Sequence, residues 1–143
     1  MGNTSGKLPG EIEPAHFCRS GEVLAFEAGV AEFPRLAGEF TRGALKCRIE
    51  GVRDAMGLLL KLVVEGEAVL TCQRCLGELT LPIAVARTIR LARDDIELER
   101  FDADPEVDAI PLEQKLDPVA LVEDEVLLSL PMAAMHEEGQ CPA

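Results

Sequence analysis

Apolar and polar residues alternate most cleanly over residues 44–52. Leu45, Cys47 and Ile49 share one side there, and Lys46, Arg48 and Glu50 the other. A period of two marks a strand with one buried face. Turn residues follow at Asp54-Ala55-Met56-Gly57. Residues 58–64 are then almost continuously apolar, as in a central strand. Glu65 and Gly66 predict a bulge or bend before a further strand segment at 68–71. Beyond it, Leu79, Leu81, Ile83, Val85, Ile89 and Leu91 share one parity, interrupted by Arg87. Pro82 inside this run predicts an edge strand, or two strands joined at a kink. A weaker alternation covers residues 22–27, and Ile110 with Leu112 predicts one more short strand.

The period changes near the C-terminus. Asp117 is placed to cap a helix whose first position is Pro118. Val119, Val122, Val126 and Leu130 form its apolar stripe, widened by Leu121 and Leu127. Glu123, Asp124 and Glu125 form its charged side, and Pro131 ends it. Residues 33–38 predict a short helix in the N-terminal half, with Pro34 in its first turn and Gly38 near its end. Residues 1–20 and 94–109 show little period and are expected to be flexible. The expectation is a single α+β domain over residues 1–143: a curved, mainly antiparallel sheet with a C-terminal helix and a short N-terminal helix. Its core should include Leu45, Cys47, Ile49, Leu81, Ile83, Val85, Val122 and Val126.

Apolar residues make up 48% of the chain, enough for a real core. No apolar run reaches membrane-spanning length, and no leader pattern precedes residue 30, so the expected compartment is the cytoplasm. Five cysteines in that compartment are expected to be reduced, in metal or core roles. The net charge is −12, unevenly spread. Residues 35–93 carry ten Lys/Arg against six Asp/Glu, and residues 94–143 carry two against fifteen. An ordinary RNA-binding domain is basic overall. With neither Tyr nor Trp and five Phe, a stacking platform for single-stranded bases is poorly supplied.

Cys72-Gln73-Arg74-Cys75 places two soft ligands with two residues between them, and His136 with Cys141 could complete a tetrahedral Cys3His set. Zinc suits such donors. The alternative is a tight turn of small side chains with no metal. A thioredoxin-type redox pair would open a helix, which Gly77 and the following strand pattern oppose. Cys47 belongs to an apolar strand face, and Cys18 lies in an unpatterned segment.

The segment Val69-Leu70-Thr71-Cys72-Gln73-Arg74-Cys75-Leu76 resembles the signature of the YceD family, the large ribosomal RNA subunit accumulation proteins. Residues 121–131, read as L-V-E-D-E-V-L-L-S-L-P, resemble that family's second block, and His136 and Cys141 match the His and Cys that follow it. The resemblance covers most of the chain. It implies a part in accumulating large-subunit rRNA and carries no catalytic activity. It also implies a short tail, often basic, after the final Cys, whereas this chain stops at Cys141-Pro142-Ala143.

Two function classes follow. In the first, the chain is a non-enzymatic biogenesis factor for 23S rRNA that contacts RNA directly. Arg74, Lys46, Arg48, Arg87 and Arg90 would then meet phosphate from one basic face, although the same residues also suit a solvated strand face. In the second, it is an adaptor without RNA contact, whose acidic C-terminal third binds basic assembly proteins. Glu123, Asp124 and Glu125 would be its partner contacts, or simply a solvated helix face. Neighbouring positions on a helix diverge, so these three carboxylates are poorly placed to share one ion. The partner is the large-subunit rRNA or its precursor particle, reached directly or through proteins, with no membrane involved.

Overall fold

A computed structural model describes residues 3–5, 9–71, 75–105, 107–113 and 115–130. Among the described residues, six strands form one sheet in the order β1-β2-β3-β4-β5-β6. They are β1 (Asn3–Ser5), β2 (Val23–Gly29), β3 (Arg42–Asp54), β4 (Gly57–Thr71), β5 (Glu78–Ala92) and β6 (Asp108–Pro111). Strands β2 to β5 pair antiparallel, and the flanking pairs β1–β2 and β5–β6 are parallel. Helix α1 (Pro14–Arg19) connects β1 to β2, α2 (Asp95–Asp102) connects β5 to β6, and α3 (Pro118–Ser129) follows β6. The fold is α+β.

The register explains which side chains are buried. Phe26, Cys47, Val64 and Val85 stand side by side across four strands, and so do Leu24, Ile49 and Leu62. Cys47, Ile49, Leu62 and Val64 are buried, as are Ile83, Val85 and Ile89 on β5. Helix α3 covers this face with Val122 and Val126, both 0% exposed. Of the expected core, only Leu81 is half-buried rather than buried.

Helix α1 covers the same face farther along. It packs against β3 at Gly51, where a β-carbon would lie 2.6 Å from the Phe17 carbonyl oxygen and 2.8 Å from the Cys18 Cα. Only glycine lets the helix backbone come this close. Nearby, the Cys18 thiol donates to the Leu59 carbonyl at 3.2 Å.

Four local expectations are revised. Gly66 interrupts nothing: β4 runs unbroken, pairing Gly66 with Leu45 on one side and Ile83 on the other. The deformation appears instead as close approach, since a β-carbon on Gly66 would lie 2.2 Å from the Ala44 carbonyl. The helix expected at residues 33–38 is a single 3-10 turn, Leu36–Gly38, preceded by another at Val30–Glu32, with Phe33 and Leu36 buried and the Phe33 ring near that of Phe26. Residues 14–19 are helical instead of unpatterned. Residues 95–102 are helical too, because Asp94 caps the Glu97 N–H at 2.8 Å while Glu97 accepts from the Arg93 N–H at 2.8 Å. The first bond satisfies a donor that the helix would otherwise leave orphaned, and the second ties the residue before the cap to the same glutamate.

Pro82 sits in a continuous β5, and β6 pairs with β5 only over residues 89–92. Among the described residues the earlier part of β5 is therefore a sheet edge, where a residue lacking an N–H is tolerated.

The α1 contact yields a direct test. Gly51→Ala should lower the unfolding free energy by about 1–3 kcal/mol through overpacking against backbone. Gly38→Ala, where nothing lies within 4 Å of the added carbon, should change it by less than about 0.5 kcal/mol. Denaturant titration of both variants measures the difference.

Candidate interaction surfaces

The acidic motif is built into the fold through α3. The Asp117 carboxylate accepts the Val119 and Ala120 N–H groups at 2.9 and 3.3 Å, and Pro118 occupies the first turn. With Val122 and Val126 turned to the sheet, the three acids project in three directions. Glu123 is only 3% exposed. Its carboxylate accepts the Arg35 backbone N–H at 2.6 Å and lies 3.7 Å from Arg35 Nε. Asp124 pairs with the Arg35 guanidinium from the exposed side. Glu125 lies 3.3 Å from Arg87 Nε, and Asp108 of β6 lies 3.9 Å from the same atom.

The motif is therefore not a uniformly solvated helix face. Glu123 lies beside the core stripe and fills the gap between α3 and the chain around Arg35. Nothing in the helical period marks it as buried, because its partner is 88 residues away in sequence.

The five cationic candidates separate. Lys46, Arg48 and Arg90 project from the sheet face opposite α3, whereas Arg87 shares parity with Val85 and Ile89 and points to the α3 side. The interruption of the apolar stripe at Arg87 is thus the site where Glu125 and Asp108 meet the sheet. Arg74 lies outside the described residues.

The outer face is also not uniformly basic. Lys46 stands in register between Glu27 on β2 and Glu65 on β4. Lys61 stands opposite Glu50, and Arg48 lies 3.3 Å from the same glutamate. Arg90 is held by both oxygens of Asp54 at 2.8 and 2.7 Å, and Arg42 meets Glu78 at 2.7 Å. Directly opposed side chains on neighbouring strands are close enough to interact, so the glutamates offset these cations locally.

Of the four expected metal ligands, Cys75 is half-buried in the turn before β5, while Cys72, His136 and Cys141 lie outside the described residues. Burial pushes the Cys47 thiol up to about 12 and also raises the Cys18 thiol, so both are small core side chains, not reactive thiolates.

A groove of about 550 Å3 opens between the end of α2, β6 and α3. Ile89, Ile110, Leu121 and Leu127 line its apolar part, and Asp102, Asp108, Asp124 and Glu125 its polar part.

The comparisons agree with this layout of motifs. Residues 60–143, more than half the chain, match the model of the family described as large ribosomal RNA subunit accumulation protein YceD. The chain belongs to the YceD family. The match runs from β4 through α3, so it includes the Cys75 turn, Arg87 and the acidic motif, and leaves out α1, β2, β3 and Arg35. No curated protein and no solved structure matches the chain. No helix among the described residues is long and apolar enough to cross a membrane.

Two carboxylates should respond oppositely to pH. Arg90 holds the Asp54 carboxyl down at about 2, so its contribution is present above the ordinary Asp value of ~3.9 and is lost as pH falls toward 2. Burial raises the Glu125 carboxyl, helped by the Asp108 charge and opposed by Arg87. Its ionised form is thus disfavoured in the fold, and stability is gained as pH falls through its raised value. Asp54→Asn should destabilise at neutral pH and be neutral near pH 2. Glu125→Gln should stabilise at neutral pH, with the gain vanishing in acid. Melting curves across pH distinguish the two signs.

Proposed function

We propose that this YceD-family chain is a non-enzymatic factor in the biogenesis of the large ribosomal subunit. It supports accumulation of 23S rRNA in the cytoplasm through contact with proteins of the assembling particle. The observation that carries this reading is the charge register of the outer sheet face, where glutamates alternate with Lys46, Arg48 and Lys61. A phosphate-binding face concentrates cations so that their fields add. Here they are offset strand by strand, on a chain of net charge −12. The nucleophile–base pairs and phosphate-cradling loops that catalysis on RNA would use have no counterpart in the motifs of this sequence.

The second reading keeps direct RNA contact. It is favoured by Lys46, Arg48 and Arg90 sharing one face. Within either reading, Cys72, Cys75, His136 and Cys141 form a donor set of the kind that binds structural zinc, which would fasten the C-terminal segment to the turn before β5.

The two readings diverge in a salt series. Under the first, purified protein binds large-subunit rRNA weakly at physiological salt, and Arg48→Glu with Arg74→Glu leaves co-sedimentation with precursor particles intact. Salt-steep RNA affinity that drops in the Arg48→Glu and Arg74→Glu variants, with a slope change of about 0.9 per lost phosphate contact, would move the function to RNA binding.

A further inference from the structure

The groove between α2, β6 and α3 has a composition that suits one class of occupant. Its apolar floor comes from Ile89 of β5, Ile110 of β6, and Leu121 and Leu127 of α3. Leu128 stands at its lip with 76% of its surface exposed. A single exposed leucine needs no explanation, but this one borders an existing apolar cleft. The cleft's volume lies within the ordinary range of ligand sites, and is filled by a few side chains, not by a whole domain.

Four carboxylates from three elements converge on the same cleft. Arg87 and Arg35 offset part of that charge from behind, Arg87 toward Glu125 and Asp108, and Arg35 toward Asp124. The carboxylates outnumber these two guanidiniums, and Arg35 also serves Glu123. Burial raises the Glu125 carboxyl there, and the Asp108 charge raises it further against the opposing Arg87. A phosphate backbone would be repelled here, and the described lining residues include no aromatic ring for a base to stack on.

We infer that this groove binds a Lys/Arg-rich segment of a partner protein, with an apolar side chain of that segment covering Leu128 and its cations facing Asp102, Asp108 and Glu125. The inference rests on the protein-contact reading above and names where and with what chemistry that contact is made. A short extended or helical segment fits, with apolar contact supplying affinity and the carboxylates supplying orientation and rate.

The test uses the full chain and a fluorescent synthetic peptide alternating arginine and leucine, followed by anisotropy across a salt series. An alternating glutamate–leucine peptide, polyarginine and a single-stranded RNA oligonucleotide serve as comparison probes. Leu128→Ser and Asp102→Lys alter exposed positions, so the fold is retained. Each should weaken arginine–leucine peptide binding roughly tenfold, and Asp102→Lys should also flatten the salt dependence. Glu67→Lys makes the same charge change on the outer sheet face and should leave affinity unchanged.

The inference is overturned if the arginine–leucine peptide fails to bind at low salt. It is also overturned if Glu67→Lys weakens binding as much as Asp102→Lys, if polyarginine binds equally well and ignores Leu128→Ser, or if the RNA oligonucleotide competes for the groove. Co-sedimentation of the Leu128→Ser variant with precursor particles separates the two levels. Retention of wild-type association together with no peptide binding rejects the groove and keeps the protein-contact reading. Absence of particle association in the wild-type chain rejects both.

Discussion

The carboxylate of Glu123 has almost no access to water, and its partners come from the other end of the chain. An ionised carboxylate without partners would cost several kcal/mol at such a site. The Arg35 N–H and guanidinium remove that cost. The consequence is positional: α3 can lie on the sheet only where Glu123 reaches Arg35. Val122 and Val126 then cover Ile89 and its neighbours, and Glu125 arrives beside Arg87. Hydrophobic burial supplies the affinity of α3 for the sheet but little direction, because apolar contact is non-directional. The contact of Glu123 with Arg35 fixes where along the sheet the helix sits.

This arrangement gives a physical reason for three consecutive acids and a lone arginine in an apolar strand. Neither is explained by solvation. Arg87 breaks the stripe of β5 because a helix carboxylate and Asp108 of β6 meet it there. The same clustering leaves the α2–β6–α3 side of the molecule with excess negative charge, while the opposite sheet face is balanced strand by strand. The strongly acidic C-terminal third and the mildly basic centre of the sequence therefore do not become an acidic lobe and a basic lobe. The basic residues of the centre are distributed among glutamates on the sheet and ion pairs at its rim.

Much of the fold was legible from pattern. The alternation at Leu45, Cys47 and Ile49, the turn residues at Asp54 and Gly57, and the cap formed by Asp117 and Pro118 each act locally, and each is found where the pattern predicts it. Helix α1 was illegible because it has only six residues and no side-chain cap. It exists through contact with β3 at Gly51. Helix α2 carried a readable signal, the spacing of Asp94 and Glu97, hidden within a highly acidic stretch. The sites were less legible than the fold. Parity alone put Arg87 on the buried side, yet its partners on α3 and β6 follow only from the three-dimensional packing. The burial of Glu123 depends on Arg35, which no local period connects to it.

The most direct measurement compares the unfolding free energies of Glu123→Ala and Asp124→Ala. Asp124 makes an exposed pair, worth about 0–1 kcal/mol. Removing Glu123 leaves the Arg35 N–H without its acceptor and empties space between α3 and the chain around Arg35, and should cost about 3 kcal/mol or more. Equal and small effects at the two positions would mean that both acids are merely solvated, and that Glu123 does not fix α3 on the sheet.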